Sequence, residues 1–248
     1  MSRTADVRPI EIESATSPSD DGPIVRFQDV GLRYGRAPEV LKGLTFDLER
    51  GSFHFLTGAS GAGKTSLLRL IHLAHRPTRG LIRLFGQEVS GLQRKALPFV
   101  RRRIGAVYHD RRLLEHLNAF ENVALPLRLA GAKVGDYDAD VVELLTWVGL
   151  GERIGALPPA LSGGEQQRLA IARAVVTRPE ILIADEPTGD VDHEMALRIL
   201  RLFVELNRLG ATVLIASHDD ELVAHSGRPV LHLADGRLTR IEAGDRPS

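Results

Sequence analysis

At 248 residues, 43% hydrophobic and 26% charged, the chain has the length and composition of a globular protein with one substantial core, or one core plus a smaller subdomain. Lys+Arg and Asp+Glu both total 32, which gives no reason to expect a nucleic-acid binder, and no apolar run approaches the ~20 residues needed to span a bilayer. The absence of cysteine excludes a disulfide framework, a thiolate metal site and a cysteine nucleophile, and with no apolar signal-peptide core the expected compartment is the cytoplasm.

Residues 1–22 are rich in Ser, Thr, Asp, Glu and Pro without periodicity and read as a disordered tail. Short strands begin at Ile24. Leu44, Phe46 and Leu48 alternate with polar residues, as in a half-buried strand. Phe53 to Thr57 is a compact apolar strand that runs into a glycine-rich loop. The helix predicted from Lys64 places Leu67, Leu68 and Ile71 on one face, and residues 81–85 predict another strand. The span from about 95 to 162 differs in texture: Ala119 to Ala130 and Asp138 to Val148 predict helices, so it reads as a helical insert. Helix and strand alternate again after Ser162. Ile181 to Ala184 is apolar throughout, the mark of a strand covered on both faces. Met195 to Leu206 is amphipathic, Thr212 to Ala216 predicts a second buried strand, and Asp235-Gly236 suits a type I′ hairpin turn. The expected domain spans 23–241, followed by a short tail at 242–248.

Gly58-Ala59-Ser60-Gly61-Ala62-Gly63-Lys64-Thr65 fits G-x-x-x-x-G-K-[ST] between a predicted strand and a predicted helix, as a phosphate-binding loop requires. Its glycines let backbone N–H groups curl around phosphate oxygens without Cβ clashes, and the helix start adds its positive dipole end. Lys64 is expected to bridge the β- and γ-phosphates, the Thr65 hydroxyl to ligate Mg²⁺. Asp185 and Glu186 follow an apolar strand. Alone they are either two acids of a solvated loop, or a carboxylate for a Mg²⁺-bound water (Asp185) and a polarising group for the attacking water (Glu186); the phosphate loop favours the second. Ser162 and Glu165 form an S-x-x-E capping box, which is either only a capped helix or a helix start whose bare N–H groups, after Gly163 and Gly164, receive an anion.

Leu161-Ser162-Gly163-Gly164-Glu165-Gln166-Gln167 resembles the signature loop of the ABC ATPases, and it precedes Asp185 at about the family's distance. Other family marks follow in order over residues 24–241. Tyr34 matches the aromatic that stacks on adenine, Asp190-Val191-Asp192 the D-loop, and His218 the switch histidine. The resemblance implies an α/β P-loop NTPase core with an N-terminal antiparallel β subdomain and a helical insert, and a Mg²⁺-dependent ATPase. Gly58 to Thr65, Ser66 and Tyr34 would contact the nucleotide. It further implies a head-to-tail homodimer in which Ser162, Gly163, Gly164 and Glu165 of one subunit close over ATP held by the other, with Asp192 coupling the two sites. Glu186 would orient the water, and His218 would contact the γ-phosphate and Glu186. One departure stands at His109, after Val107-Tyr108, where the family has a glutamine that touches Mg²⁺ or the lytic water. Imidazole offers one donor and one acceptor when neutral, so His109 either substitutes through a water or makes hydrolysis slower or pH-dependent. His109→Gln is expected to raise the ATPase rate, and an unchanged or lower rate across pH 6–8 would sink that idea.

Arg111-Arg112-Leu113-Leu114 and Phe120-Glu121-Asn122-Val123-Ala124-Leu125-Pro126-Leu127 are similar to the insert of the FtsE-like subgroup, the ATPases of a bacterial cell-division complex. That resemblance implies an FtsX-like integral membrane partner controlling cell-wall hydrolysis, and a peripheral position on the inner face of the membrane. The neighbouring alternatives are the ATPase of a lipoprotein-releasing or macrolide-type exporter, and an ATP-dependent scaffold with weak hydrolysis. A nucleic-acid-linked member is disfavoured by the single module, the absence of coiled-coil arms and the balanced charge.

Overall fold

The computed structural model describes residues 22–241; the expected tails lie outside them, apart from Gly22. β1 (Val25–Leu32) buries Val25, Phe27, Val30 and Leu32, β2 (Leu41–Leu48) buries Leu41, Leu44 and Leu48, and the two pair antiparallel, Val25 opposite Leu48 and Phe27 opposite Phe46. β3 (Phe53–Thr57) is buried nearly throughout and feeds through the glycine loop into α1 (Lys64–Ile71). β4 (Arg79–Leu84) and the two-residue β5 (Gln87–Glu88) return to the first sheet, whose order is β2-β1-β4-β5. Next come α2 (Leu97–Arg102), β6 (Ile104–Val107), α3 (Ala119–Leu129), α4 (Asp138–Trp147) and α5 (Gly163–Val175). The chain then alternates β7 (Ile181–Asp185), α6 (His193–Arg208), β8 (Thr212–Ala216), α7 (Asp220–Ser226), β9 (Val230–Ala234) and β10 (Arg237–Ile241).

The second sheet has the order β10-β9-β3-β8-β7-β6. It is parallel from β9 to β6, with β10 antiparallel at one edge. Its central strands need cover on both faces, and two apolar clusters supply it. On one face Phe27 and Leu44 of the antiparallel sheet pack with Leu67 and Ile71 of α1 against Ile183 and Leu214. On the other, Ile171 of α5 and Phe203 of α6 cover Phe55, Val213 and Ile215. Burying a side chain such as Phe203 contributes about 1.5–3 kcal/mol. A third cluster joins Val123, Val141, Leu145 and Leu169 of α3, α4 and α5.

The fold is thus the expected α/β core with an antiparallel β subdomain and helices inserted between strands. Within the span 95–162, β6 is a core strand: its Val107 pairs with Ala184 of β7. Among the described residues no helix is long and apolar enough to cross a membrane.

Candidate nucleotide site

Strand order builds the site. β3, β8, β7 and β6 lie side by side and run the same way, so their C-terminal ends open on one crevice, where open parallel sheets receive ligands. β3 delivers the glycine loop, β8 delivers His218, β7 ends in Asp185 and Glu186, and β6 leads to His109. Ala59, Ser60, Gly61, Gly63, Lys64, Thr65 and Ser66 meet those four residues around one cavity of about 510 Å³. Loop residues therefore face side chains 43 (Ser66 to His109) to 159 (Ala59 to His218) positions further along the chain across a small volume.

The loop needs its glycines for backbone reasons. Gly58, Gly61 and Gly63 all take positive φ, and a Cβ on Gly58 would lie 2.2 Å from the Leu233 carbonyl. Gly63 caps α1 without a side-chain acceptor, which leaves the first N–H groups of that helix open towards the cavity. Lys64 is buried, and its ammonium donates to the carbonyls of Gly58 (2.6 Å) and Ala59 (3.4 Å). It also sits 3.9 Å from Glu186. A buried cation held by weak carbonyl acceptors is one that phosphate oxygens can engage with little reorganisation.

Thr65 Oγ1 donates to Asp185 Oδ2 at 2.7 Å, so two hard oxygens stand together beside the loop. That pair fits Mg²⁺, which takes one or two protein oxygens and completes its shell with phosphate and water. Among the described residues no group of three or more His, Asp or Glu side chains is placed to hold a metal ion unaided. The imidazole of His109 is a softer donor than Mg²⁺ prefers, so its place at this cavity suits contact through a water. Glu186 adopts φ 50°, a left-handed conformation sparsely populated by non-glycine residues. Its N–H bonds the Ala216 carbonyl at 2.9 Å, and its carboxylate accepts from the His218 backbone N–H at 3.2 Å and lies 2.8 Å from His218 Nδ1. The turn after β7 thus aims the carboxylate at the histidine after β8.

Tyr34 is half-exposed, bonds Ser66 through its hydroxyl (2.9 Å) and meets His75 edge-on. Ser162, Gly163, Gly164 and Glu165 are not part of this cavity. They start α5, where Ser162 and Glu165 form the reciprocal capping box. Bonds from Ser162, its backbone N–H first, hold the Glu165 carboxyl below the usual carboxylate range.

The profile of the ABC transporter family matches residues 41–189. The cell division ATP-binding protein FtsE of Escherichia coli K12 is 45% identical over 215 residues, covering 87% of this chain and 97% of that protein. FtsE of Mycobacterium tuberculosis is 42% identical, over 83% of this chain and 90% of its own. The chain belongs to the ABC transporter family. Among solved structures, the ATP-binding cassette MJ0796, dimeric and bound to ADP and Pi in a post-hydrolysis state, superposes with a TM-score of 0.83 at 31% identity, covering 90% of this chain and all of that one. Tyr34, Asp192 and His218 lie outside the span of the family profile and inside the described fold.

Several contacts of this ABC protein that shape the site escape sequence reading. Gln167, buried in α5, donates to the Pro187 carbonyl at 3.1 Å and ties the signature helix to the loop carrying Glu186. Arg173 donates to the carbonyls of Arg111 and Arg112, both at 2.7 Å. Val40 lines the cavity from the end of the β1–β2 connection. No spacing announces any of these, because each contact joins segments far apart in the chain.

Proposed function

We propose that the chain is the ATP-binding and ATP-hydrolysing subunit of a bacterial cell-division complex of the FtsE–FtsX kind, passing ATP-driven dimerisation to a membrane partner that regulates cell-wall hydrolysis. The observation that carries the reading is the gathering of Lys64, Thr65, Asp185, Glu186, His218 and His109 on one cavity at the ends of four parallel strands. It is supported by relatives named as cell division ATP-binding proteins that match along nearly their full lengths.

In this reading Lys64 exchanges the Gly58 and Ala59 carbonyls for β- and γ-phosphate oxygens, and Tyr34 stacks on adenine. Thr65 and Asp185 would hold Mg²⁺, directly or through water, and the bound ion would supply positive charge to offset that of the transferring phosphoryl group. Glu186, oriented by His218, positions the attacking water, and His109 contributes through a water. Ser162, Gly163, Gly164 and Glu165 act on the other subunit's ATP, which accounts for their separation from the cavity. The chain would sit at the inner face of the membrane through its partner. An apolar groove of about 720 Å³ between β6 and α3, lined by Pro98, Leu125 and Leu129, has the size and chemistry for an amphipathic segment of that partner.

Two measurements test this. Glu186→Gln should lower ATP turnover by about 100-fold or more while ATP still binds; turnover equal to the wild type would remove Glu186 from the chemistry. Affinity capture from detergent-solubilised membranes should return a four-span FtsX-like protein, whereas a lipoprotein-export permease would overturn the division role.

A further inference from the structure

Three parts of the molecule meet at Arg111. Its position lies two residues beyond His109, which faces the nucleotide cavity. Its carbonyl and that of Arg112 are gripped by the Arg173 guanidinium of α5 at 2.7 Å each, which holds two successive residues at φ 54° and 50°. Its own guanidinium pairs with the Asp190 carboxylate of the loop between β7 and α6. That guanidinium also lies against the start of α5, where a Cβ on Gly163 would come within 3.6 Å of Nη2. Asp190 completes the cluster: its carbonyl packs on Gly164, leaving only 3.0 Å for a Cβ there. The Arg111 side chain is three-quarters buried, so the pair is screened less than a surface ion pair.

We propose that Arg111 is a positioning residue that joins the two half-sites of one chain. One end of its loop touches the subunit's own ATP through His109. The other end sets the signature-helix start and the loop carrying Asp190, the surfaces that meet the partner's ATP. The proposal rests on the composite dimer site described above. A change at His109 on nucleotide binding is carried by Arg111 to Gly163 and Asp190, so occupancy of one site biases closure over the other. Arg111 does not line the nucleotide cavity; it acts through Asp190 and the start of α5.

The test is a double-mutant cycle on the full chain, reading kcat, KM and the Hill coefficient for ATP. Arg111→Ala and Asp190→Asn should each lower kcat by about tenfold, keep KM within about twofold, and bring the Hill coefficient to 1. The double variant should be no worse than the worse single one, because both remove the same link. Arg111→Lys, which keeps the charge, should recover most of kcat. Losses that multiply to about a hundredfold in the double variant, or an unchanged Hill coefficient in both singles, would overturn the coupling. Asp190→Asn is isosteric at a half-exposed position and carries the test alone if Arg111→Ala does not fold. Sedimentation of Glu186→Gln with ATP separates the two ideas. A monomer there overturns the composite site and this inference together. An ATP-dependent dimer beside unaltered cooperativity in Asp190→Asn overturns the coupling alone.

Discussion

His72 follows α1, the helix that begins at Lys64, and its half-buried ring meets Tyr108 edge-on, with Nδ1 2.6 Å from the phenol oxygen. Burial lowers its pKa from 6.5 to about 4, with the positive charges of Arg101 and Arg112 acting in the same direction. Burial also raises the Tyr108 pKa, so both rings are neutral at pH 7 and Nδ1 can accept the phenol proton. The unfolded chain takes up a proton near pH 6.5 that the folded chain resists until about pH 4. This contribution is therefore complete above pH 6.5 and is lost as pH falls towards 4, where the loss reaches about 3 kcal/mol. Thermal unfolding should show it as a fall in Tm of roughly 6–12 °C between pH 7 and pH 4 beyond that of a variant lacking the ring. His72→Asn keeps an acceptor for Tyr108 and does not titrate, so its Tm should fall less over this interval. Parallel Tm curves for the two proteins would show that His72 is not the titrating group.

Element by element, the parts that sequence reading places best are those whose ends are marked by a change of chemistry. Phe53–Thr57 and Thr212–Ala216 are apolar runs closed by glycine or polar residues, and both strands stop where those residues stand. Asp235 and Gly236 take φ 50° and 76°, the two positive angles a type I′ turn needs. Elements shorter than about two helical turns, such as α2 and α7, carry too few residues for a period to emerge. The start of α6 was hidden differently. Asp192, read as a residue of the D-loop, also caps that helix by accepting from the Met195 N–H at 2.9 Å, so the helix begins two residues before the predicted Met195. Asn122 shows what a motif conceals. Its amide, fully buried, donates to the carbonyls of Leu114, Leu117 and Asn118 and accepts from the Leu114 N–H. It thereby pins the loop between β6 and α3 to the helix. Asn122→Ala would leave buried backbone groups unpaired and should cost about 2–4 kcal/mol. Chemical denaturation would register this as a lower midpoint at unchanged m-value; a midpoint equal to the wild type would mean that water replaces the amide.

At the scale of the whole molecule, the residues named from sequence separate into two places. Lys64, Thr65, His109, Asp185, Glu186 and His218 share one cavity, while Ser162 to Glu165 start a helix outside it. Motif order along the chain was enough to name both sets, because the parallel strands bring one set together. What spacing alone could not supply was the bracing between them: Gln167 to Pro187, Arg173 to the Arg111–Arg112 carbonyls, and Arg111 to Asp190. The proposed pair of half-sites on one chain makes a demand that a single complete site does not. Lys64→Ala should silence a chain as a nucleotide holder yet leave its signature helix intact. Ser162→Arg should block the signature helix yet leave the phosphate loop intact. Each variant alone should be inactive. In an equimolar mixture, half of the randomly formed dimers are mixed, and in each of these one site joins an intact phosphate loop to an intact signature helix while the other carries both lesions. ATP turnover should therefore reappear on mixing, at up to about a quarter of the wild-type rate. A mixture as inactive as its components, while both variants still bind each other, would place all the catalytic groups within one chain.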